Sequence, residues 1–372
     1  MIKNNAFGII FANMHDDNLH ELTARRTTGS VPFGGRYRFI DFTLSNMVNA
    51  GLTTVGVITK QNYMSLMDHL SSGRNWDLAR KRGGLVFLPP MSLSDTGVYS
   101  GRLEALCNIL SFISSRHEEY VIISDSNVIC NMDLSPILDY HIENEADITM
   151  VYKKGTIDNE DGYESSVFEM DGNLITGISY YSKHPEETNV NLDVTIIKKD
   201  LLIEICTYAK SKKLSSFKND YLVHNLHKLN IYGYLHKGLS LIINSKKDYY
   251  KANMLLLREN VRKDLFLKGR PVYTKVKDDF PATYGLSSTC KNSLIADGCQ
   301  IEGEVENSIL FRGVKVNKGA VVKNSIIMQG SEIKENCSLN YVVADKNVSF
   351  SKESIINGTE KYPVYFSKGC NV

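Results

Sequence analysis

Residues 31 to 51 read VPFGGRYRFIDFTLSNMVNAG, and the way this stretch folds decides the reading of the whole chain. Phe33-Gly34-Gly35 is loop punctuation, because paired glycines open backbone conformations closed to other residues. Arg36-Tyr37-Arg38 follows. Asp41, Phe42, Leu44, Met47 and Val48 then fall on a stripe near helical spacing, and Ala50-Gly51 closes it. Periodicity alone gives a core helix with an arginine-rich entry. It lies downstream of a short apolar run at 6–12, AFGIIFA, of the kind a buried parallel strand shows.

Working outward, comparable apolar runs recur at 53–59, 120–124 and 146–152, with helical patterns at 104–114 and 135–143 between them. This alternation predicts an α/β domain over 1–254, doubly wound around a mostly parallel sheet. Ligands of such sheets bind at the carboxyl ends of strands, which points to the loops after Ala12 and Ser124. Residues 255–285 carry Pro271, Pro281 and several charges, and read as an extended linker.

The tail, 286–372, obeys another rule. Asn292-Ser293, Asn307-Ser308, Asn324-Ser325 and Asn340-Tyr341 each precede an aliphatic pair, at spacings of 15, 17 and 16. Between them aliphatics step by six, as in Ile295/Ile301, Leu310/Val316/Val322 and Ile327/Ile333/Leu339. Six-residue steps grouped in threes are the signature of a parallel β-helix, with one aliphatic turned inward per face. A β-sandwich of short strands would not keep the six-step.

Bulk properties bound the rest. A chain of 372 residues exceeds one ordinary core. With 43 Lys plus Arg against 42 Asp plus Glu, it does not read as a generic binder of nucleic acid or membrane surfaces. It has no apolar run of about 18 residues and its first residues do not read as a signal peptide. Seven scattered cysteines without a CxxC pair suit free thiols in a reducing cytoplasm.

As a string, 31–51 closely resembles the segment that follows the nucleotide loop in glucose-1-phosphate adenylyltransferases (ADP-glucose pyrophosphorylases), roughly KPAVPFGGKYRIIDFPLSN. Trp76-Asp77 and Tyr99-Ser100-Gly101-Arg102 resemble further landmarks, the latter departing from YxGTADA. The resemblance runs from Ala6 through the tail. It implies a nucleotidyltransferase-like sheet followed by a left-handed β-helix. It also implies the reaction of ATP with glucose 1-phosphate to ADP-glucose and pyrophosphate, in glycogen biosynthesis. That chemistry needs a glycine-rich loop that admits phosphates to backbone N–H groups, cations against the growing charge, and carboxylates that hold Mg²⁺.

At each of these positions the sequence departs from the family. The loop of form GGxGxRL is Asn13-Met14-His15-Asp16-Asp17-Asn18-Leu19, without a glycine or an arginine. The first metal-binding aspartate, in SGDHVYKMDY, falls on Asn127. The second, in a WxDVGT-like string, falls on Ile242. The lysine that contacts the sugar phosphate falls on Tyr181, with Lys183 nearby, and the early lysine of KPAVPFGG is Thr28. Asp125 could stand in for one carboxylate, and His15, Asp16 and Asp17 admit a metal reading, although three polar loop residues in a row are more simply solvated. Arg25, Arg26 and Arg38 match basic positions that bind anionic effectors in the family; the plainer alternative is surface charge or ion pairing.

Scaffold retained and chemistry lost is the pattern of the noncatalytic subunit of two-subunit adenylyltransferases. The resemblance therefore implies a catalytic partner that carries the Mg²⁺, a heterotetramer, and an anionic small-molecule effector. The alternatives are an active enzyme with Asp125 and the Asp16-Asp17 pair around Mg²⁺, and a stand-alone sugar-nucleotide sensor. A hexapeptide acyltransferase usually needs a histidine base, and none follows His236.

Overall fold

The computed structural model describes residues 5–90, 99–159 and 162–372; the first four residues, read above for a leader, lie outside the described residues. Nine strands form one mixed sheet. Its first half is parallel: Gly84–Leu88, Thr54–Ile58, Ala6–Phe11 and Tyr120–Asp125 lie side by side in that order. Lys183–Lys198 then runs antiparallel to both Tyr120–Asp125 and Ile148–Asp158. Ile231–Leu235 and the hairpin Ser165–Asp171/Leu174–Tyr181 complete the far edge.

The helix in the opening stretch spans Phe39–Asn49. Its start is fixed by Asp41, whose carboxylate accepts the Arg38 N–H at 2.9 Å, the half of a capping box that reaches back to the N-cap. The other Asp41 oxygen meets His69 Nε2 at 2.6 Å, so this fully buried carboxylate is satisfied on both sides. Gly51, at φ +86°, ends the helix. Asn46 ties the helix to the next layer, donating to Cys130 O and accepting from Met132 N, both at 3.1 Å. Gly34 turns at φ +59°, and a Cβ there would lie 2.8 Å from Leu256 Cδ1, so the loop before the helix favours glycine.

The tail is a parallel β-helix of three five-stranded faces. The six-step aliphatics Ile301, Leu310, Val316, Val322, Ile327, Ile333 and Leu339 are all buried. The Asn-Ser repeats have a local cause. Asn292, Asn307 and Asn324 take positive φ at the corners. The serine after each stacks on the next coil, with Ser308 N donating to Ser293 Oγ, Ser325 N to Ser308 Oγ and Val342 N to Ser325 Oγ.

One face of the β-helix joins the α/β domain. Ile309, Phe311, Ile326, Met328 and Val343 share a single core with Phe33, Phe39, Phe42, Tyr249 and Leu256. The segment 255–285 is extended only in its second half. Glu259–Leu265 is a helix, because Val261 and Leu265 bury themselves in that same shared core. No helix among the described residues is long and apolar enough to cross a membrane.

Candidate functional site

The loop after the first strand is held by its own side chains. Asp16 accepts from Thr28 N at 2.6 Å and Thr28 Oγ1 at 2.8 Å, which draws the loop onto the segment leading to 31–51. Burial pushes the Asp16 carboxyl up to about 6, against those hydrogen bonds. Asn13 Nδ2 donates to the Tyr99 hydroxyl at 2.8 Å, and Gly29 N to Ala12 O at 2.9 Å. Thr28, where the resembled family has a lysine, thus fastens the loop. Asp16 faces Thr28 while His15 faces Asp125, so the His15-Asp16-Asp17 run does not converge on one point.

The positions of the two metal carboxylates meet. Val128–Cys130 pairs antiparallel with Ser240–Ile242, Ile242 opposite Val128, and Ile243 N donates to Asn127 O at 3.0 Å. What meets there is an amide and an aliphatic. Asn127 Nδ2 donates to Asn244 Oδ1 at 2.6 Å, while Ile242 packs against Ile157, Val167 and Val190. Neither supplies an anionic oxygen, so these residues do not fit Mg²⁺. Tyr181 stands at the end of its strand, half-exposed, with its ring 4.8 Å from that of His184.

Beside them lies a charge cluster that the sequence did not announce. The register that pairs Val194 with Ser124 brings Asp193 beside Asp125 at the carboxyl end of the central strand. Arg102, at the start of the helix Arg102–Asn108, bonds Asp125 and reaches Asp193 at 3.1 Å. Lys218 Nζ lies 2.9 Å from Asp193 Oδ1 and His15 Nε2 2.9 Å from Asp125 Oδ2. Burial alone would raise the Asp193 carboxyl, but Arg102 and Lys218 outweigh it and hold it well below the usual carboxylate range. The partners come from 91 and 25 residues away, so no local motif marks them. The one available signal was a lone carboxylate inside the apolar run LDVTII.

The three arginines part company. Arg25 is exposed. Arg26 is buried and bonds both Asp345 oxygens, at 2.9 and 2.8 Å, across the junction of the two domains. Arg38 donates to Ser65 O at 2.6 Å and lines a cleft between the domains with Arg36, Lys275, Lys277, Arg312 and Lys346. Burial, with Arg38 and Arg26 close by, pulls the Lys346 ammonium down to about 7. Burial likewise pulls the Arg38 guanidinium down to about 10. A cleft so rich in crowded cations suits a polyanion.

A doubly anchored α/β sheet with a β-helix packed on it defines a class: the chain belongs to the nucleotidyl transferase family, which matches residues 8–225. Residues 280–361 match the GlmU-like, C-terminal hexapeptide family, in keeping with a left-handed β-helix. Among characterised relatives, the glycogen biosynthesis protein GlgD of Bacillus subtilis is 36% identical over 369 residues, 99% of this chain and 97% of that one. GlgD of Geobacillus stearothermophilus is 36% identical over 86% of this chain and 84% of its own. The glucose-1-phosphate adenylyltransferase of Bacillus mycoides is 32% identical over 96% and 94%.

Proposed function

We propose that this chain is a regulatory, catalytically deficient subunit of a glucose-1-phosphate adenylyltransferase, acting in glycogen biosynthesis in the cytoplasm. It assembles with a catalytic partner subunit into a heterotetramer and alters that partner's response to an anionic effector. One observation carries the reading: the end of the strand pair where two metal carboxylates are expected holds Asn127 and Ile242. The relatives named above support the glycogen pathway, and the cationic cleft between the domains supports an anionic effector, with Arg38, Arg312 and Lys346 as its principal ligands. Val276, Phe280, Tyr284 and Leu286 leave large apolar groups exposed on the approach to the β-helix, a surface suited to a partner subunit.

The rival reading, an active enzyme rebuilt around Asp125, Asp16 and Asp17, is disfavoured by geometry. Asp125 is engaged by His15 and Arg102, and Asp16 by Thr28. The test is turnover of ATP and glucose 1-phosphate by the lone chain and by the chain co-expressed with a catalytic paralogue. The lone chain should fall roughly three or more decades below the complex, and the complex should differ from the catalytic subunit alone in its effector midpoint. Robust Mg²⁺-dependent turnover by the lone chain, lost in Asp125→Ala, would overturn the proposal.

A further inference from the structure

The cleft at the carboxyl end of the central strand holds its own cation. His15, Asp125 and Asp193 bring one ligand atom each within 4.8 Å of one another, the reach of a divalent metal bound by imidazole and carboxylate. These are not the positions that the adenylyltransferase resemblance assigns to Mg²⁺, which here are Asn127 and Ile242. We infer that the guanidinium of Arg102, seated between Asp125 and Asp193, is the resident cation of this place, and that it keeps the cleft shut against metal and against the phosphates a metal would bring.

Four features converge on this. Asp125 is almost fully buried, and its Oδ2 is engaged by both His15 and Arg102. Asp193 takes φ +52°, in the left-handed region, and its Oδ1 accepts from Asn191, Arg102 and Lys218. Arg102 Nε is buried without a hydrogen-bond partner among the described residues, so the guanidinium is drawn in by the carboxylates rather than by a complete set of acceptors. Lys218, bonded to Asp193 and to Ser166 Oγ at 2.9 Å, balances the second carboxylate, leaving no net negative charge to attract an ion. The same charges fasten separate segments. Leu103 N donates to Ser215 O at 2.9 Å, and a Cβ on Gly101 would collide with that carbonyl, so the helix carrying Arg102 sits directly on the segment leading to Lys218.

This concerns the isolated chain and stands apart from any partner or turnover. The probe is Mn²⁺, followed by electron paramagnetic resonance and by the shift in melting temperature. The parent should show no saturable binding below the millimolar range. Arg102→Ala should melt lower without metal, bind Mn²⁺ at least about tenfold more tightly than the parent, and recover its melting temperature as Mn²⁺ is added. Asp193→Asn in that background should abolish the gain. Arg102→Met, closer in volume, takes the same measurements should the alanine variant not fold. Parent protein that binds Mn²⁺ as tightly as the variants overturns the inference, and so does a folded Arg102 variant that gains no affinity.

Discussion

Asp345→Ala should be among the most damaging single changes in this chain, although Asp345 is none of the positions of the expected chemistry. Arg26 and Asp345 are 3% and 2% exposed, and the guanidinium bonds both carboxylate oxygens, at 2.9 and 2.8 Å. At an effective dielectric of about 20, charges at that separation attract by roughly 6 kcal/mol, most of it offset by the cost of drying them. Removing one partner cancels the attraction and leaves the other charge buried, which costs about 3–5 kcal/mol. Arg26 Nη1 already lacks a partner among the described residues, so no second acceptor stands ready. The measurement is unfolding in urea, followed by tyrosine fluorescence and by circular dichroism. The control is Asp345→Ala combined with Arg26→Met, which removes both charges and should recover at least about 2 kcal/mol of the loss. A single variant within about 1 kcal/mol of the parent, or a double variant no better than the single, would refute the view that this pair clamps the domains.

The remaining expectations concern protons, anions and the vacated metal positions. Burial raises Asp16 to about 6 from 3.8, so its contribution is fully present below the lower value and is lost as pH rises through the higher. Asp16→Asn should therefore stabilise the protein at pH 8, by up to about 3 kcal/mol, with the gain vanishing near pH 4 in denaturation curves. Lys346 is depressed from 10.5 to about 7, so stability present above the upper value is lost as pH falls through the lower, and a bound anion should restore it. Sulfate, divalent throughout, should raise the melting temperature more at pH 6 than at pH 8.5, and Lys346→Ala should erase that difference. Asn127→Asp with Ile242→Asp sets one carboxylate at the end of a strand pair and another just beyond it. That double variant should lose several kcal/mol without metal and regain part of it with Mg²⁺, in thermal scans where the parent does not respond.

What could be read from the sequence was local. The helix Phe39–Asn49 follows from side chains three and four apart and a terminating glycine, and the β-helix from inward aliphatics and Asn-Ser corners that act within one coil. The strand Lys183–Lys198 was missed because its first half, KHPEETN, is polar and carries Pro185. That polar half is largely exposed, while the strand as a whole is fifth of nine and brings antiparallel neighbours into the sheet's middle. The hairpin before it had a visible mark, Asp171-Gly172, with Gly172 at φ +57°. Arg26 read as an anion ligand because nothing near it in sequence announces Asp345, 319 residues on. The same distance hid the Arg102 cluster. Charges pair in space, and periodicity carries no information about where a distant carboxylate will lie.

The core shared by the two domains has an evolutionary consequence. Among the described residues, the cluster that joins Phe33, Phe39 and Phe42 to Ile309, Ile326 and Val343 contains neither Thr28, Asn127, Tyr181 nor Ile242. The core that joins the two domains is thus separate from those positions. A duplicate gene can change those positions one at a time while this shared core stays intact. Cutting the chain before residue 286 would have the opposite effect, stripping a layer from a core that the α/β domain cannot close by itself. In such a molecule the junction is what selection must defend.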